Sequence, residues 1–286
     1  AFFSVRAAQR RLAVYDTHIA ALQRLTPALQ RRVDAGASSP GEVARAQLAA
    51  DLVRADRERA RTSLAIARLE LATLMGAGSA TYAYVTGDLG KVGRPPSFQV
   101  IRRSVESNPQ LVRFTAIRAQ RDAELLLERL KPIPDLRAGV AWRHYRDTND
   151  NAVRLGVSVP IPVWDQNLGN ITAAQESRAK VEAELASARA ALLLTLGRAH
   201  ESLSGAAREL ELLRGSAVPN ARRAVQDMEA GYQQGRFTLL ELLDVQNGAA
   251  QAALRELDAL LTYHTSLATI EGLTGMPLRM TQERRR

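Results

Sequence analysis

The chain has 286 residues, of which 46% are hydrophobic, 24% charged and 5% aromatic, with 48 alanines; this balance favours long helices and excludes collagenous, disulfide-scaffold and intrinsically disordered classes. It has no cysteine, so disulfides, thiolate chemistry and sulfur-ligated metal play no part, and no apolar run approaches the roughly 18 residues of a spanning helix, so any membrane crossing must use β-strands. The formal charge is +9, but bases alternate with acids, as in Arg54-Ala55-Asp56-Arg57-Glu58-Arg59, and the dense basic runs lack stacking aromatics, which argues against a nucleic-acid partner.

The first residues, Ala1-Phe2-Phe3-Ser4-Val5-Arg6, lack an initiator Met and read as the interior of a helix. The chain is therefore expected to be a piece of a longer one, with no signal peptide visible. A first helical hairpin turns at Asp34-Ala35-Gly36-Ala37-Ser38-Ser39-Pro40, where Ser39 before Pro40 is the pattern of an N-cap and first helical residue. Residues 77–107 read as a connector: a short strand over Thr81-Tyr82-Ala83-Tyr84-Val85, a loop from Gly87 to Pro96 and a short helix from Ser97 to Glu106. Asn108-Pro109 then opens a long helix.

Between Pro134 and Trp164 the period changes to two. Leu136, Ala138, Val140 and Trp142 face one way on the first arm; Val153, Leu155, Val157 and Val159 do so on the second, with Arg137, Arg143, Arg154 and Ser158 opposite. A polar turn, Arg146 to Asn151, joins them. Arms of nine to eleven residues suit a tilted transmembrane strand, with Trp142 and Tyr145 where interfacial aromatics would stand; a soluble hairpin packed on helices is the alternative, and a lone hairpin needs further strands to be stable.

From about Gln166 to Tyr232 the pattern is again helical, on the order of 100 Å at 1.5 Å per residue. Leu192, Leu196, Ala199, Leu203, Ala206, Leu210, Leu213 and Ala217 keep the four-three spacing of a coiled-coil seam. The turn at Gly231-Tyr232-Gln233-Gln234-Gly235-Arg236-Phe237-Thr238 has two glycines and Thr238 as N-cap, and a return helix from Leu239 to Gly272 carries Leu243, Ala250, Leu254, Leu257, Leu261 and Ala268 on one side. The two hairpins are copies of each other. At an offset of 199, Gly36 falls on Gly235, Glu42 on Glu241, Gln47 on Gln246, Leu74 on Leu273 and Gly76 on Gly275. Pro27 meets Pro219 at 192, so the second copy is longer there by seven residues, two helical turns that leave a seam unrotated. The organisation is thus a first repeat ending at 1–76, a connector at 77–107, a second repeat at 108–275 with its β-hairpin at 135–160, and a basic tail at 276–286.

The order of helix, β-hairpin, very long helix, Tyr-x-x-Gly tip and return helix, duplicated, resembles the TolC family of outer membrane efflux proteins across essentially the whole chain. Its most specific pieces are Asn108-Pro109-Gln110-Leu111, Pro160 to Ile171, Glu229 to Gly235 and Leu273-Thr274-Gly275. Within Pro160 to Ile171, the run Trp164-Asp165-Gln166-Asn167-Leu168-Gly169-Asn170-Ile171 is similar to the heavy-metal branch, of the CzcC type, and departs from it in Trp164, where Phe is commoner. The resemblance implies a homotrimer in the outer membrane of a Gram-negative bacterium. Each chain would give four strands to a twelve-stranded β-barrel and its antiparallel helical hairpins to a periplasmic α-barrel. Only the second β-hairpin is present here, and the repeat offset projected back from Asn108 leads us to expect the first copy to begin about 90 residues before Ala1.

The resemblance further implies export of heavy-metal cations delivered by an inner-membrane pump of the RND type and a periplasmic adaptor, with no cofactor and no catalysis. A multidrug or type I secretion channel on the same fold is the alternative, and a soluble coiled-coil scaffold is the alternative of another class. The residues offer no catalytic constellation or phosphate loop, and His18, His144, His200 and His264 lack metal-site spacing. Glu241 and Asp244, at i and i+3, share a face; in a trimer they would form acidic rings that favour cations, or they are ordinary acids on a solvated face. They match the acidic pair at the family's periplasmic aperture, and Tyr232 matches the tyrosine that helps close it. Gly36, Ala37 and Ser38 with Gly235, Arg236, Phe237 and Thr238 are the expected adaptor-docking tips, Phe237 being either an exposed anchor or a buried turn residue. Leu136, Ala138, Val140, Trp142, Val153, Leu155, Val157 and Val159 would be the lipid-facing set.

Overall fold

The structure, a computed structural model, describes residues 1–159 and 166–277. The stretch Pro160 to Asp165 of the motif above, and most of the basic tail, lie outside the described residues. The elements in chain order are α1 (Phe2–Asp34), α2 (Pro40–Leu74), α3 (Phe98–Arg103), a 3-10 turn (Ser104–Ser107), α4 (Pro109–Leu130), β1 (Arg137–Tyr145), β2 (Asp150–Ser158), α5 (Leu168–Leu212), a π-turn (Leu213–Ala217), α6 (Val218–Gln233) and α7 (Leu239–Thr274). They fall into two compact units, one comprising Ala1–Arg102 with the chain from Thr195 on, the other Arg103–Leu194.

In the first unit, α1 pairs with α2 and α6 with α7, each pair folded back at a glycine. The four glycines with positive φ, Gly36, Gly76, Gly235 and Gly275, form two pairs at the repeat offset. At the tips the agreement extends to hydrogen bonds. The Ala37 N–H donates to the Arg32 carbonyl and the Gly36 N–H to that of Val33, while the Arg236 N–H donates to Gly231 and the Gly235 N–H to Tyr232. This is the Schellman closure, in which only glycine takes the left-handed position without a Cβ penalty. Both hairpins share one core near the tips: Leu22, Leu29, Val43, Ala46, Ala50 and Val53 from the first meet Tyr232, Leu239, Leu242 and Leu243 from the second. Each fully buried leucine there contributes about 1.5–3 kcal/mol of burial. Alanines at 0% and 3% exposure, Ala46 and Ala50, keep the helices close.

The seam of α5 is buried at Leu192, Leu196, Ala199, Leu203, Ala206, Leu210 and Leu213, as the spacing predicts, but Ala217 is exposed and Val218 is buried in its place. The π-turn is the reason: it holds one residue more than an α-turn, so the buried stripe advances five residues instead of four. On α7 the stripe also departs from expectation in its second half, where Ala268 is exposed and Leu260, Tyr263, His264 and Ile270 are buried. The connector accounts for this, because it lies on that half. The Tyr263 hydroxyl donates to the Gly93 carbonyl at 2.9 Å and accepts from the Gly93 N–H at 3.0 Å. His264 Nε2 lies 2.9 Å from the Leu89 carbonyl, and its ring stacks on Phe3 at 4.3 Å. The strand expected over 81–85 does not form. The segment is instead held to α2 by the Tyr82 hydroxyl, which donates to the Arg68 carbonyl at 2.8 Å, and by the Arg68 guanidinium, which donates to the Ala83 carbonyl. The short helix expected over 97–106 divides into α3 and the 3-10 turn.

In the second unit, α4 opens with Asn108 as N-cap, its Oδ1 accepting from the Gln110 N–H at 2.8 Å, and Pro109 at the first helical position. Three ion pairs align antiparallel partners: Arg118 with Glu182 at 2.5 Å, Arg178 with Asp122 at 2.6 Å and Arg189 with Glu106 at 2.9 Å. All are solvent-exposed, so they set register more than they add stability. Asn167, with φ of 57°, ties the entry of α5 to the end of α4 by donating to the Glu128 carbonyl at 2.9 Å and to its carboxylate at 2.8 Å. β1 and β2 pair antiparallel from Arg137 opposite Ser158 to Tyr145 opposite Asp150. The turn closes over 146–149, two residues tighter than expected, because Asn149 takes a left-handed φ of 57°.

Candidate functional site

Each tip is built by a side-chain cap on the return helix. Ser39 Oγ accepts from the Gly41 N–H at 3.2 Å. The second tip has more: Thr238 Oγ1 accepts from the Glu241 N–H at 3.3 Å, while the Glu241 carboxylate accepts from the Thr238 N–H and hydroxyl, both at 2.8 Å. This is a reciprocal capping box, legible as Thr-x-x-Glu at 238–241 and missed when Thr238 was taken alone. Those hydrogen bonds from Thr238 hold the Glu241 carboxyl below its ordinary pKa. The structure therefore separates the two acids of the expected ring. Both are exposed, but Glu241 is engaged by the helix cap, while Asp244, one turn on, takes no part in it.

Tyr232 is 7% exposed within the shared tip core, and burial raises its pKa. Its hydroxyl is buried, and the Arg32 guanidinium, 5.5 Å from the ring centroid, partly opposes that rise. That contact joins the last turn of α1 to the last turn of α6 and was not foreseen. Beside it, Gln246 is buried and donates to the Glu229 carboxylate at 3.1 Å. Of the two alternatives for Phe237, the structure has it exposed rather than buried. It is 39% exposed, with its ring lying on Gly231, where a Cβ would come within 2.4 Å of it. The other tip residues Gly36, Ala37, Gly235, Arg236 and Thr238 are exposed, and Ser38 is half-buried.

The hairpin brings its apolar residues to one face. Ala138 stands opposite Val157, Val140 opposite Leu155 and Trp142 opposite Val153, and period-two spacing extends the set to Leu136 and Val159. All are exposed, Leu155 at 76% and Val140 at 74%. His144 ends that face beside Asn151, 2.9 Å away. Tyr145, by contrast, lies on the opposite face, where the Arg143 guanidinium stands 5.9 Å from its ring centroid. Among the described residues no group of His, Asp and Glu could hold a metal ion, and no helix is long and apolar enough to cross a membrane. The four histidines stay apart: His200 Nε2 lies 3.0 Å from the Pro96 carbonyl, and buried His18 has its pKa lowered by desolvation.

Two helical hairpins with matching caps and closures, and a β-hairpin inserted before the longest helix, define the TolC-like class of outer-membrane channel folds. A membrane protein from Pseudomonas aeruginosa superposes with a TM-score of 0.82 at 18% identity, over 96% of this chain and 65% of that one. VceC, the outer membrane protein of Vibrio cholerae, superposes with 0.79 at 14% identity, over 96% and 67%.

The chain belongs to the outer membrane efflux protein family, which matches residues 1–77 and 100–276. The cobalt-zinc-cadmium resistance protein CzcC of Cupriavidus metallidurans is 30% identical over 276 residues, covering 96% of this chain and 66% of that protein. The nickel and cobalt resistance protein CnrC of the same organism is 33% identical over 129 residues, 44% of this chain and 29% of that protein. The chain spans just under two thirds of the length of CzcC.

Proposed function

We propose that this chain is part of a subunit of a homotrimeric outer-membrane conduit, which passively exports heavy-metal cations handed on by an inner-membrane pump of the RND type and a periplasmic adaptor. Residues 1–76 are then the C-terminal part of the first repeat of one subunit and 108–275 its second repeat, joined at 77–107. The observation that carries the channel reading is the β-hairpin: nine-residue arms with one uncovered apolar face suit a strand pair in lipid. Likeness to CzcC along nearly the whole chain supports metal cations as the cargo. In this reading Leu136, Ala138, Val140, Trp142, Val153, Leu155, Val157 and Val159 face lipid, and the tips at 36–38 and 235–238 meet the adaptor. Tyr232, Glu241 and Asp244 line the periplasmic aperture, with Asp244 the freer charge and Glu241 the cap that positions it.

The test is a deletion of the full-length gene in its host, scored for growth in graded cobalt, zinc, cadmium and nickel and in a panel of hydrophobic drugs. Metal sensitivity restored by the intact gene is the expected result. Drug sensitivity with unchanged metal tolerance would overturn the metal reading and favour a multidrug conduit.

A further inference from the structure

The helical path from α5 into α6 changes its winding at one place. Across Leu213–Ala217 it forms a π-turn, and the Val218 N–H reaches back five residues to the Leu213 carbonyl. Pro219 follows immediately. Proline has no N–H, and in a regular α-helix its ring collides with the carbonyl four residues earlier, here that of Gly215. A widened turn relieves that collision, and such turns are where long helices bend. The aligned residue of the first repeat, Pro27, lies inside α1, which passes through it as α-helix. The interruption therefore marks the second hairpin, the one that carries Tyr232, Glu241 and Asp244.

Arg214 holds the turn: Nε donates to the Glu256 carboxylate on α7 at 2.7 Å, and Nη1 donates to the Gly90 carbonyl of the connector at 2.9 Å. Both side chains of the ion pair are partly buried, at 36% and 23% exposure, which strengthens it relative to a surface pair. Beside the turn lies a cleft of about 790 Å³, lined by Arg214 itself together with Gly93, His200, Arg208, Glu211 and Gly215. A Cβ placed at Gly215 would meet nothing within 4 Å. The turn is thus pinned by one guanidinium and has free volume beside it.

We propose that the π-turn at Leu213–Ala217, with Pro219, is a hinge about which α6 and the second tip swing, and that Arg214, bonded to Glu256 and Gly90, is the latch that holds the hinge in its present position. The inference rests on the channel reading above, in which Tyr232, Glu241 and Asp244 of the second hairpin line the aperture. It places the control point more than three helical turns from the aperture residues themselves.

The chain has no cysteine, so in the full-length protein, once any cysteine outside this chain is replaced, Arg236→Cys puts a single spin label on the exposed second tip. Distances between the three labels of the detergent-solubilised trimer are read by pulsed electron resonance, and single-channel conductance is read in planar bilayers. Releasing the latch by Arg214→Ala, or by the nearly isosteric Glu256→Gln should the first variant not fold, is expected to raise the population of a wider-tip, more conducting state roughly tenfold. Removing Ser216 together with Pro219→Ala sets Leu213 and Val218 four residues apart, restores an α-turn and is expected to abolish the effect of Arg214→Ala. Latch variants that remain trimeric and keep the parent's distances and conductance would overturn the hinge while leaving the channel reading intact. So would an α-restored chain that opens as readily. A parent protein that forms neither trimer nor pore would overturn the channel reading and this inference together.

Discussion

Gly231 and Phe237 depend on each other. A methyl group at 231 would displace the ring that lies on it, losing about 1–2 kcal/mol of packing, while alanine gains about 1 kcal/mol over glycine within a helix. Gly231→Ala is therefore expected to be near neutral or slightly destabilising in the parent, yet stabilising by about 1 kcal/mol in a Phe237→Ala background. A double-mutant cycle on thermal unfolding of the full-length protein measures this, and additive effects would refute the packing. Glu241 carries a pH prediction. Hydrogen bonds from Thr238 depress its carboxyl pKa in the folded state, so its stabilisation is complete above the unfolded value and is lost as pH falls through the folded one. The Tm difference between parent and Glu241→Ala should thus be open at neutral pH and close below the ordinary carboxylate range. A difference that persists in acid would mean that the carboxylate contributes nothing as a cap.

At the scale of elements, the hairpins, caps and strand pair were readable because each rests on local chemistry: Ser39 and Thr238 as N-caps, Gly36 and Gly235 in left-handed turns, and period-two alternation in β1 and β2. The departures come from tertiary contacts or from backbone geometry that spacing does not reveal. The heptad count runs smoothly through Ala217, and nothing in residue type announces the extra residue of the π-turn except Pro219 downstream. The connector rotates the buried face of α7 to Tyr263 and His264 by hydrogen-bonding to them, and no periodicity within α7 could show that. The shifted stripe makes a direct prediction. Ala217→Glu should alter stability by no more than about 0.5 kcal/mol, whereas Val218→Glu, which buries an unpaired charge, should cost about 3 kcal/mol. Thermal unfolding of the two variants decides between the π-turn and an uninterrupted seam, which predicts the reverse order.

For the whole molecule, the expected aperture was legible only as a pair of acids on one helix face. The Thr-x-x-Glu pattern marks Glu241 as a capping residue, but nothing in the sequence says that Arg32 from the other hairpin stands over Tyr232. That contact joins residues 200 positions apart, and only the repeat at offset 199 hinted that the two tips share a core. The β-hairpin makes the strongest demand on the assembly. Its apolar face is open along both arms and its outer edges are unpaired among the described residues, which in water would be a site of aggregation. Burial in lipid as part of a closed barrel removes both problems. The most direct test is to fractionate the envelope of cells expressing the full-length protein, extract it in detergent and size the particle. The account predicts an outer-membrane species that needs detergent and sizes as a trimer; a species that leaves the envelope in aqueous buffer and sizes as a monomer or dimer would contradict it.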